Sequence, residues 1–271
     1  MKAFWRIFIY ALLLSIPLLA VVVFKPQTNA GFADEMGKTF SLLGFTILAL
    51  QPVLSARIRW IEKPFGLDIL LLFHRNMALF ATALLLTHPF LLVLGDHDLT
   101  IFYAADVSAF IWLGRAALLV LLTLIVISSF RLRLGIGFEK WRSLHNILAI
   151  SVILIGFMHS WLVNDDLQLL SMKIIWSALL LTAMSAYLYH KIIHPFTIRN
   201  FRPSNSRRKI FVMTKNNTKR IIILRWVTVL LISFMLAVVM VIVGIRGSES
   251  TNAEHTGSEP GSTEETGQHN H

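Results

Sequence analysis

The 271-residue sequence contains no cysteine. This absence excludes disulfide bonds, thiolate metal sites and iron–sulfur clusters held by this chain, and it excludes thioether attachment of a prosthetic group through a C-x-x-C-H motif. Charged residues are also scarce, at 15% of the sequence. Any metal ligand that this chain offers is therefore an imidazole or an oxygen atom.

Hydrophobic residues make up 55% of the chain, and the mean hydropathy is +0.66, which no soluble globular domain approaches. A hydrocarbon core of roughly 30 Å needs about 20 apolar residues per helical span. We therefore predict an all-α integral membrane protein, with a bundle of six core transmembrane helices plus one extra C-terminal transmembrane helix. For the first span, a cleaved signal peptide is the alternative. The predicted spans are 4–24, 39–56, 66–94, 105–130, 144–163, 170–189 and 221–245.

The formal net charge is +10. The basic residues behind it are concentrated in alternate connections between the predicted spans, which indicates membrane topology and not a nucleic-acid partner. Basic residues fill the connections after the second, fourth and sixth spans, and acidic residues fill the alternate connections. By the positive-inside rule the N-terminus is cytoplasmic and the C-terminal tail is extracytoplasmic, so we expect a multi-pass protein of the cell membrane. The marker residues are Arg57, Arg59, Lys63, Arg131, Arg133, Lys140 and Arg142 on the basic side, and Asp34, Glu35, Asp96, Asp98, Asp165 and Asp166 on the acidic side.

The same pattern divides the chain into five predicted segments. The first is an N-terminal transmembrane helix or signal anchor with its outer loop, and the second is the transmembrane core. A basic cytoplasmic loop and the extra helix follow. The acidic tail lacks apolar periodicity and is expected to be disordered. The segments are 1–38, 39–196, 197–220, 221–245 and 246–271.

Two fifteen-residue stretches, HRNMALFATALLLTH and HNILAISVILIGFMH, begin and end on histidine inside long apolar runs. His74 and His88 are fourteen residues apart, as are His145 and His159. Fourteen residues come within roughly 40° of four full helical turns and rise about 21 Å, so each helix presents two imidazoles on one face at two depths. Both helices are predicted to run outward, so His74 matches His145 in depth and His88 matches His159.

Imidazole pairs from facing helices are typical axial ligands of an iron porphyrin, and filling both axial positions suits electron transfer. Intramembrane ionisable residues are rare and usually functional, so four of them at matched depths predict two haem sites stacked across the bilayer. The alternative is a haem-free transporter or scaffold in which the histidines bond to neighbouring helices.

Arg115 lies about ten residues into the fourth predicted span, and a lone arginine at that depth needs an anion. We predict that it binds the propionates of the outer haem. An arginine bonded to backbone carbonyls or water is the alternative.

The stretches LLFHRNMALFATALLLTHPFLL and GRAALLVLLTLIVISSFRLRLGIGFEKWRSLHNILA, with the closing second H-x13-H, resemble the ferric reductase-like transmembrane domain. That superfamily includes ferric reductases, NADPH oxidases and the haem-binding membrane subunit of bacterial methionine sulfoxide reductase. The resemblance covers roughly 39–196. It implies a six-helix domain with two noncovalent b-type haems, one held by His74 with His145 and the other by His88 with His159.

The reductases and oxidases of that superfamily continue into a cytoplasmic flavin and NADPH domain, whereas here only about 30 residues precede the next apolar span. A nucleotide-binding domain needs on the order of 100 residues. We therefore expect an oxidoreductase membrane subunit without its own nicotinamide site. Its donor is a reduced flavin, a cytoplasmic flavoprotein partner or a quinol, and its acceptor is extracytoplasmic. The resemblance favours ferric reduction, and a superoxide-producing oxidase is the alternative.

Overall fold

The computed structural model describes residues 2–24, 31–163 and 167–193, and within these ranges the chain is helical and contains no strand. The all-α prediction is confirmed. The predicted basic loop, extra helix and tail lie outside the described residues. The helices are α1 (Lys2–Phe24), α2 (Phe32–Ser55), α3 (Arg59–Glu62), α4 (Leu67–Asp96), α5 (Thr100–Tyr103), α6 (Ala109–Phe130), α7 (Phe138–Val163) and α8 (Leu170–Leu188), and a π-helical turn (Tyr189–Ile193) follows.

Six of the described helices are long and apolar enough to cross a membrane, as predicted. Apolar runs of this length form helices in a bilayer because only a helix satisfies its own backbone hydrogen bonds without water. The six spans are Phe4–Phe24, Phe32–Ser55, Leu67–Asp96, Ala109–Phe130, Phe138–Val163 and Leu170–Lys191.

Two of these helices begin about two turns before the apolar windows that predicted them. α2 starts at Phe32, and Asp34 and Glu35 lie in its first turn. α7 starts at Phe138, with Glu139 in its first turn. Carboxylates interact favourably with the positive end of the helix dipole, so these polar turns extend the helices although a hydropathy window excludes them.

The connections give the bundle two chemically different ends. Connections 56–66 and 131–137, with the first turn of α7, carry arginines and lysines, and we name this the basic end. Connection 97–108 and the first turn of α2 carry aspartates and a glutamate, and we name this the acidic end. α4 and α7 both run from the basic end to the acidic end.

α2 is the central helix and is buried along most of its length. It packs closely against α4, and it also contacts α8 and α1. The close approach depends on Gly44, because a Cβ atom there would lie 2.8 Å from Cγ of Leu85 on α4. Small residues at helix crossings let transmembrane backbones approach in this way.

α6 and α7 form a second group, which packs tightly within itself but makes few contacts with α2, α4 and α8. The space between the two groups is filled by side chains from α4 and α7 and by a cavity. This slot contains the histidines of both H-x13-H stretches.

Candidate functional site

The histidines near the basic end face each other across the slot. The ring centroids of His74 on α4 and His145 on α7 are 6.4 Å apart, and the ring planes are inclined by 54°. Both rings are partly buried. The structure therefore brings together the first pair that the sequence matched in depth.

The histidines near the acidic end line one cavity. His88 and His159 enter it from α4 and α7, and its volume is about 320 Å³. This volume is at the lower end of the range for ligand pockets, roughly 300–1,000 Å³. Most of the wall is apolar, with Leu, Val, Ile and Phe side chains from α2, α4, α6 and α7. The second pair that the sequence matched thus lines one largely apolar cavity.

Hydrogen bonds to backbone carbonyls fix the tautomers of this second pair. His88 Nδ1 lies 2.9 Å from the carbonyl oxygen of Gly37, and His159 Nδ1 lies 2.7 Å from that of Phe110. A carbonyl oxygen only accepts, so each Nδ1 carries the hydrogen and donates it. The lone pair of each Nε2 atom is then available to bind a metal, as in metal sites where histidine donates its other N–H to a carbonyl.

The pair near the basic end has different neighbours. His145 Nδ1 lies 3.1 Å from Oγ of Ser128 on α6, and its ring packs against Trp141 with centroids 5.4 Å apart. His74 Nδ1 is buried and has no hydrogen-bond partner among the residues that the structure describes. The orientation of His145 therefore depends on a hydroxyl group, whereas carbonyls orient His88 and His159.

Gly114 leaves room for the His159 ring. A Cβ atom at Gly114 would lie 2.8 Å from Cε1 and 3.0 Å from Nδ1 of His159. Real Cβ atoms do not approach other atoms so closely, and His159 is held in place by its bond to Phe110. The absence of a side chain lets the imidazole lie directly against α6.

Arg115 also lines the cavity, beside His88 and His159. Its guanidinium donates three hydrogen bonds to backbone carbonyls in and next to α5, and it stacks on the Trp112 ring at 4.9 Å. These three bonds use three of its five N–H groups. The acceptors are the carbonyl oxygens of Ile101 at 2.9 Å from Nε, Ala104 at 2.7 Å and Thr100 at 3.1 Å. Arg115 is thus bonded to backbone carbonyls, as in the alternative to a propionate partner. Two of its five N–H groups are not used by these bonds.

Connection 97–108 covers the cavity at the acidic end, where Ile101 and Phe102 form part of the wall. Within this connection, Asp98 anchors the first turn of α5 by accepting hydrogen bonds from the backbone N–H and the hydroxyl of Thr100, at 2.8 and 2.7 Å. These bonds stabilise the carboxylate and hold the pKa of Asp98 below its ordinary value. Because the folded-state pKa is lowered, this anchor persists above the ordinary aspartate pKa and is lost only as the pH falls through the lowered value.

Sequence reasoning missed several residues of the site. Lys38 lines the cavity and forms an ion pair with Asp34 at 2.7 Å. Trp176 donates to Ser160 at 3.2 Å, and its ring stacks on Phe45. Of these residues, only Gly114 could have been found from the sequence, because it directly precedes Arg115 in the stretch that resembles the family. The others are brought to the cavity by packing between distant helices.

The ranges 2–24, 31–163 and 167–193 contain no group of three or more His, Cys, Asp or Glu side chains arranged to hold a metal ion. The histidines are grouped in twos, at two levels of the slot.

A family model described as ferric reductase-like transmembrane component matches residues 40–156. An uncharacterised protein of Archaeoglobus fulgidus is 34% identical over 149 residues, which cover 52% of this chain and 80% of the relative. No solved structure matches. Residues 40–156 are thus a ferric reductase-like transmembrane domain, and the resemblance drawn from the histidine motifs is confirmed. This similarity supports an oxidoreductase-type membrane protein and transmembrane electron transfer in general terms.

Proposed function

We propose that this protein carries electrons across the membrane through two noncovalent b-type haems. His74 and His145 hold one haem, and His88 and His159 hold the other. The observation that carries the proposal is the meeting of four histidines from two parallel helices as two pairs at two levels.

The geometry of the pairs fits iron porphyrin. Imidazoles that bind one metal ion from opposite sides, through bonds of about 2 Å, place their ring centres roughly 6 Å apart. The His74 and His145 centroids are 6.4 Å apart. The slot between the helix groups, with its cavity at the acidic end, supplies space for a flat group beside the rings. A haem with both axial positions filled by imidazole supplies one-electron transfer and no open coordination position.

The surrounding residues orient the ligands and balance charge. The Nδ1–H bonds of His88 and His159 to carbonyls fix the ring orientation and raise the basicity of each Nε2. The apolar walls exclude water. Arg115 brings a positive charge to the acidic-end cavity, whereas the charge of Lys38 is balanced by its ion pair with Asp34. We propose that the remaining N–H groups of Arg115 bind a propionate there.

The direction of transfer follows from the charge pattern. We propose that the basic end is cytoplasmic and accepts electrons from a reductant there, such as a reduced flavin or a flavoprotein partner. The acidic end faces the extracytoplasmic side and passes electrons to an acceptor, with a ferric chelate as the substrate class that the family favours.

Purified protein in sealed vesicles tests the function. With a reductant inside and a membrane-impermeant ferric chelate outside, we expect chelate reduction that requires the protein. His159→Ala should abolish most of it. His97→Asn is the matched control, because His97 is an exposed histidine in a left-handed backbone conformation that asparagine tolerates. Equal rates in protein-free vesicles contradict the proposal, and faster oxidation by oxygen than by chelate favours the oxidase alternative.

Ser128→Ala tests the orientation of the basic-end pair. If His145 binds iron through Nε2, as proposed, its Nδ1 carries the hydrogen and donates it to Ser128 Oγ. Alanine removes this acceptor, which lowers the basicity of the ligand and so raises the midpoint potential of the basic-end haem. We expect a rise on the order of 20 mV, a fraction of the free energy of one hydrogen bond. Potentiometric titration followed by absorbance measures it. Ser128→Thr should keep the wild-type value, as should Ser129→Ala, which alters the exposed neighbouring serine. A shift in all three variants contradicts this role.

Arg115→Leu tests the charge beside the acidic-end cavity. Without the guanidinium the reduced haem is less stabilised, and we expect its potential to fall on the order of 50 mV. Arg115→Lys keeps the charge but not the fork that binds three carbonyls. Lysine should therefore restore most of the potential, whereas protease sensitivity of connection 97–108 should rise in both variants. Unchanged potentials at full haem content leave Arg115 as an anchor of this connection alone.

A further inference from the structure

A second cavity lies at the basic end, between α1, α2, α3 and the start of α4. Its volume is about 190 Å³. Its lining is apolar apart from Arg6, Tyr10 and the indole of Trp60. Phe73, the residue before His74, forms part of the wall. The cavity therefore lies next to the basic-end histidine pair, and the proposed haem sites do not use it.

Tyr10 contributes an unsatisfied polar group to this wall. Its hydroxyl oxygen is buried and has no hydrogen-bond partner among the described residues. The ring packs edge-on against Phe73, with centroids 5.3 Å apart and planes at 74°. Buried hydroxyl groups nearly always have a partner, because losing hydrogen bonds to water without replacement is unfavourable. A ligand with an acceptor atom in the cavity would supply that partner.

Arg6 provides the second polar contact. Its guanidinium carbon lies 4.7 Å from the centroid of the Trp60 ring, and both side chains line the cavity. The cavity thus combines a hydroxyl donor, a cationic donor and several aromatic rings in an apolar surround. These features fit a flat, uncharged ring that bears oxygen atoms on opposite edges.

We propose that this cavity binds the ring of a lipid-soluble quinol and that the quinol reduces the basic-end haem; the electron step rests on the proposed function. A quinone ring has two carbonyl oxygens, which match Tyr10 and Arg6, and it reaches the site through the bilayer. An acyl chain has no acceptor for Tyr10. A whole flavin nucleotide is too charged for this apolar wall and too large for a cavity of about 190 Å³, since pockets for drug-sized ligands measure roughly 300–1,000 Å³.

The reaction balances with the haems as oxidant. Oxidation of one quinol to the quinone breaks two O–H bonds and releases two protons to water at the basic end. The two electrons leave singly, and each reduces one ferric haem to the ferrous state. Tyr10 and Arg6 hold the ring oxygens and are not consumed.

Equilibrium dialysis of the purified, haem-loaded protein against a short-chain quinone tests the binding. Tyr10→Phe removes only the hydroxyl, and we expect at least tenfold weaker binding with unchanged haem content and melting temperature. Tyr103→Phe is the matched control, because Tyr103 is 73% exposed at the acidic end. Haem reduction by the short-chain quinol should then slow in Tyr10→Phe at low quinol and recover at saturating quinol.

Equal quinone affinity in Tyr10→Phe and wild type overturns the site. Displacement of the quinone by a saturated hydrocarbon chain at equal concentration identifies an acyl-chain site and also overturns it. Haem content is measured in the same samples. The experiment can therefore contradict the quinone site and the proposed haem sites independently of each other. Haem without quinone binding refutes this inference alone. Quinone binding without haem refutes the proposed function and the electron step, and leaves the quinone site supported.

Discussion

Replacing His159 by alanine is expected to halve the haem content, from about two per chain to about one. The acidic-end haem loses one of its two ligands, and the Nδ1–H bond to Phe110 shows that this ring is held in one orientation by the chain. His88→Ala should give the same spectrum, because it removes the opposite ligand. Quantitative haem extraction and potentiometric titration measure the loss and identify the missing component.

The other pair supplies the comparison. His74→Ala and His145→Ala should each remove the component that the first two variants retain. His97→Asn, at an exposed position in connection 97–108, should keep both components. If all four variants lose the same component, the pairing of the histidines is wrong. If none loses haem, the histidines are structural.

The second large effect is expected at Gly114. Valine there places a Cβ atom 2.8 Å from the His159 ring and adds two methyl groups to it. The ring cannot move away without breaking its hydrogen bond to Phe110, so we expect loss of the acidic-end haem with retention of the basic-end haem. Gly137→Val is the matched control, because a Cβ atom at Gly137 has no neighbour within 4 Å. Haem content and the number of redox components measure both variants.

An intermediate variant separates packing from unfolding. Gly114→Ala adds the Cβ atom alone and should shift the potential or weaken binding of the acidic-end haem without removing it. Full wild-type spectra in both Gly114 variants would contradict the role assigned to this glycine. Loss of both haems together with lower expression would indicate a folding defect. A variant that inserts into the membrane and melts at the wild-type temperature has no such defect.

The sequence predicted the helices and the histidine pairs because both depend on local periodicity. Apolar runs of about 20 residues define spans whatever they pack against. A fourteen-residue spacing puts His74 and His88 on one face of any α-helix, as it does His145 and His159. The meeting of the pairs then needed only that α4 and α7 be parallel and face each other across the slot.

The partners of the histidines could not be predicted, because they come from distant parts of the chain. Gly37 precedes its partner His88 by 51 residues, and Phe110 precedes His159 by 49. Packing between helices sets these contacts, and no single-helix period encodes them. The bonds of Arg115 depend on α5, a four-residue helix too short to show periodicity. The sequence showed that Arg115 places a charge within a span, but it could not predict which backbone carbonyls accept its hydrogen bonds.

The haem-to-chain ratio of the purified wild-type protein tests the central claim most directly. Pyridine haemochrome analysis against quantified protein should give about two b-type haems per chain, since we propose that each of the two histidine pairs holds one haem. The oxidised protein should have the low-spin spectrum of bis-imidazole haem. A ratio near zero in folded, membrane-inserted protein, prepared with haem available during synthesis, contradicts the account.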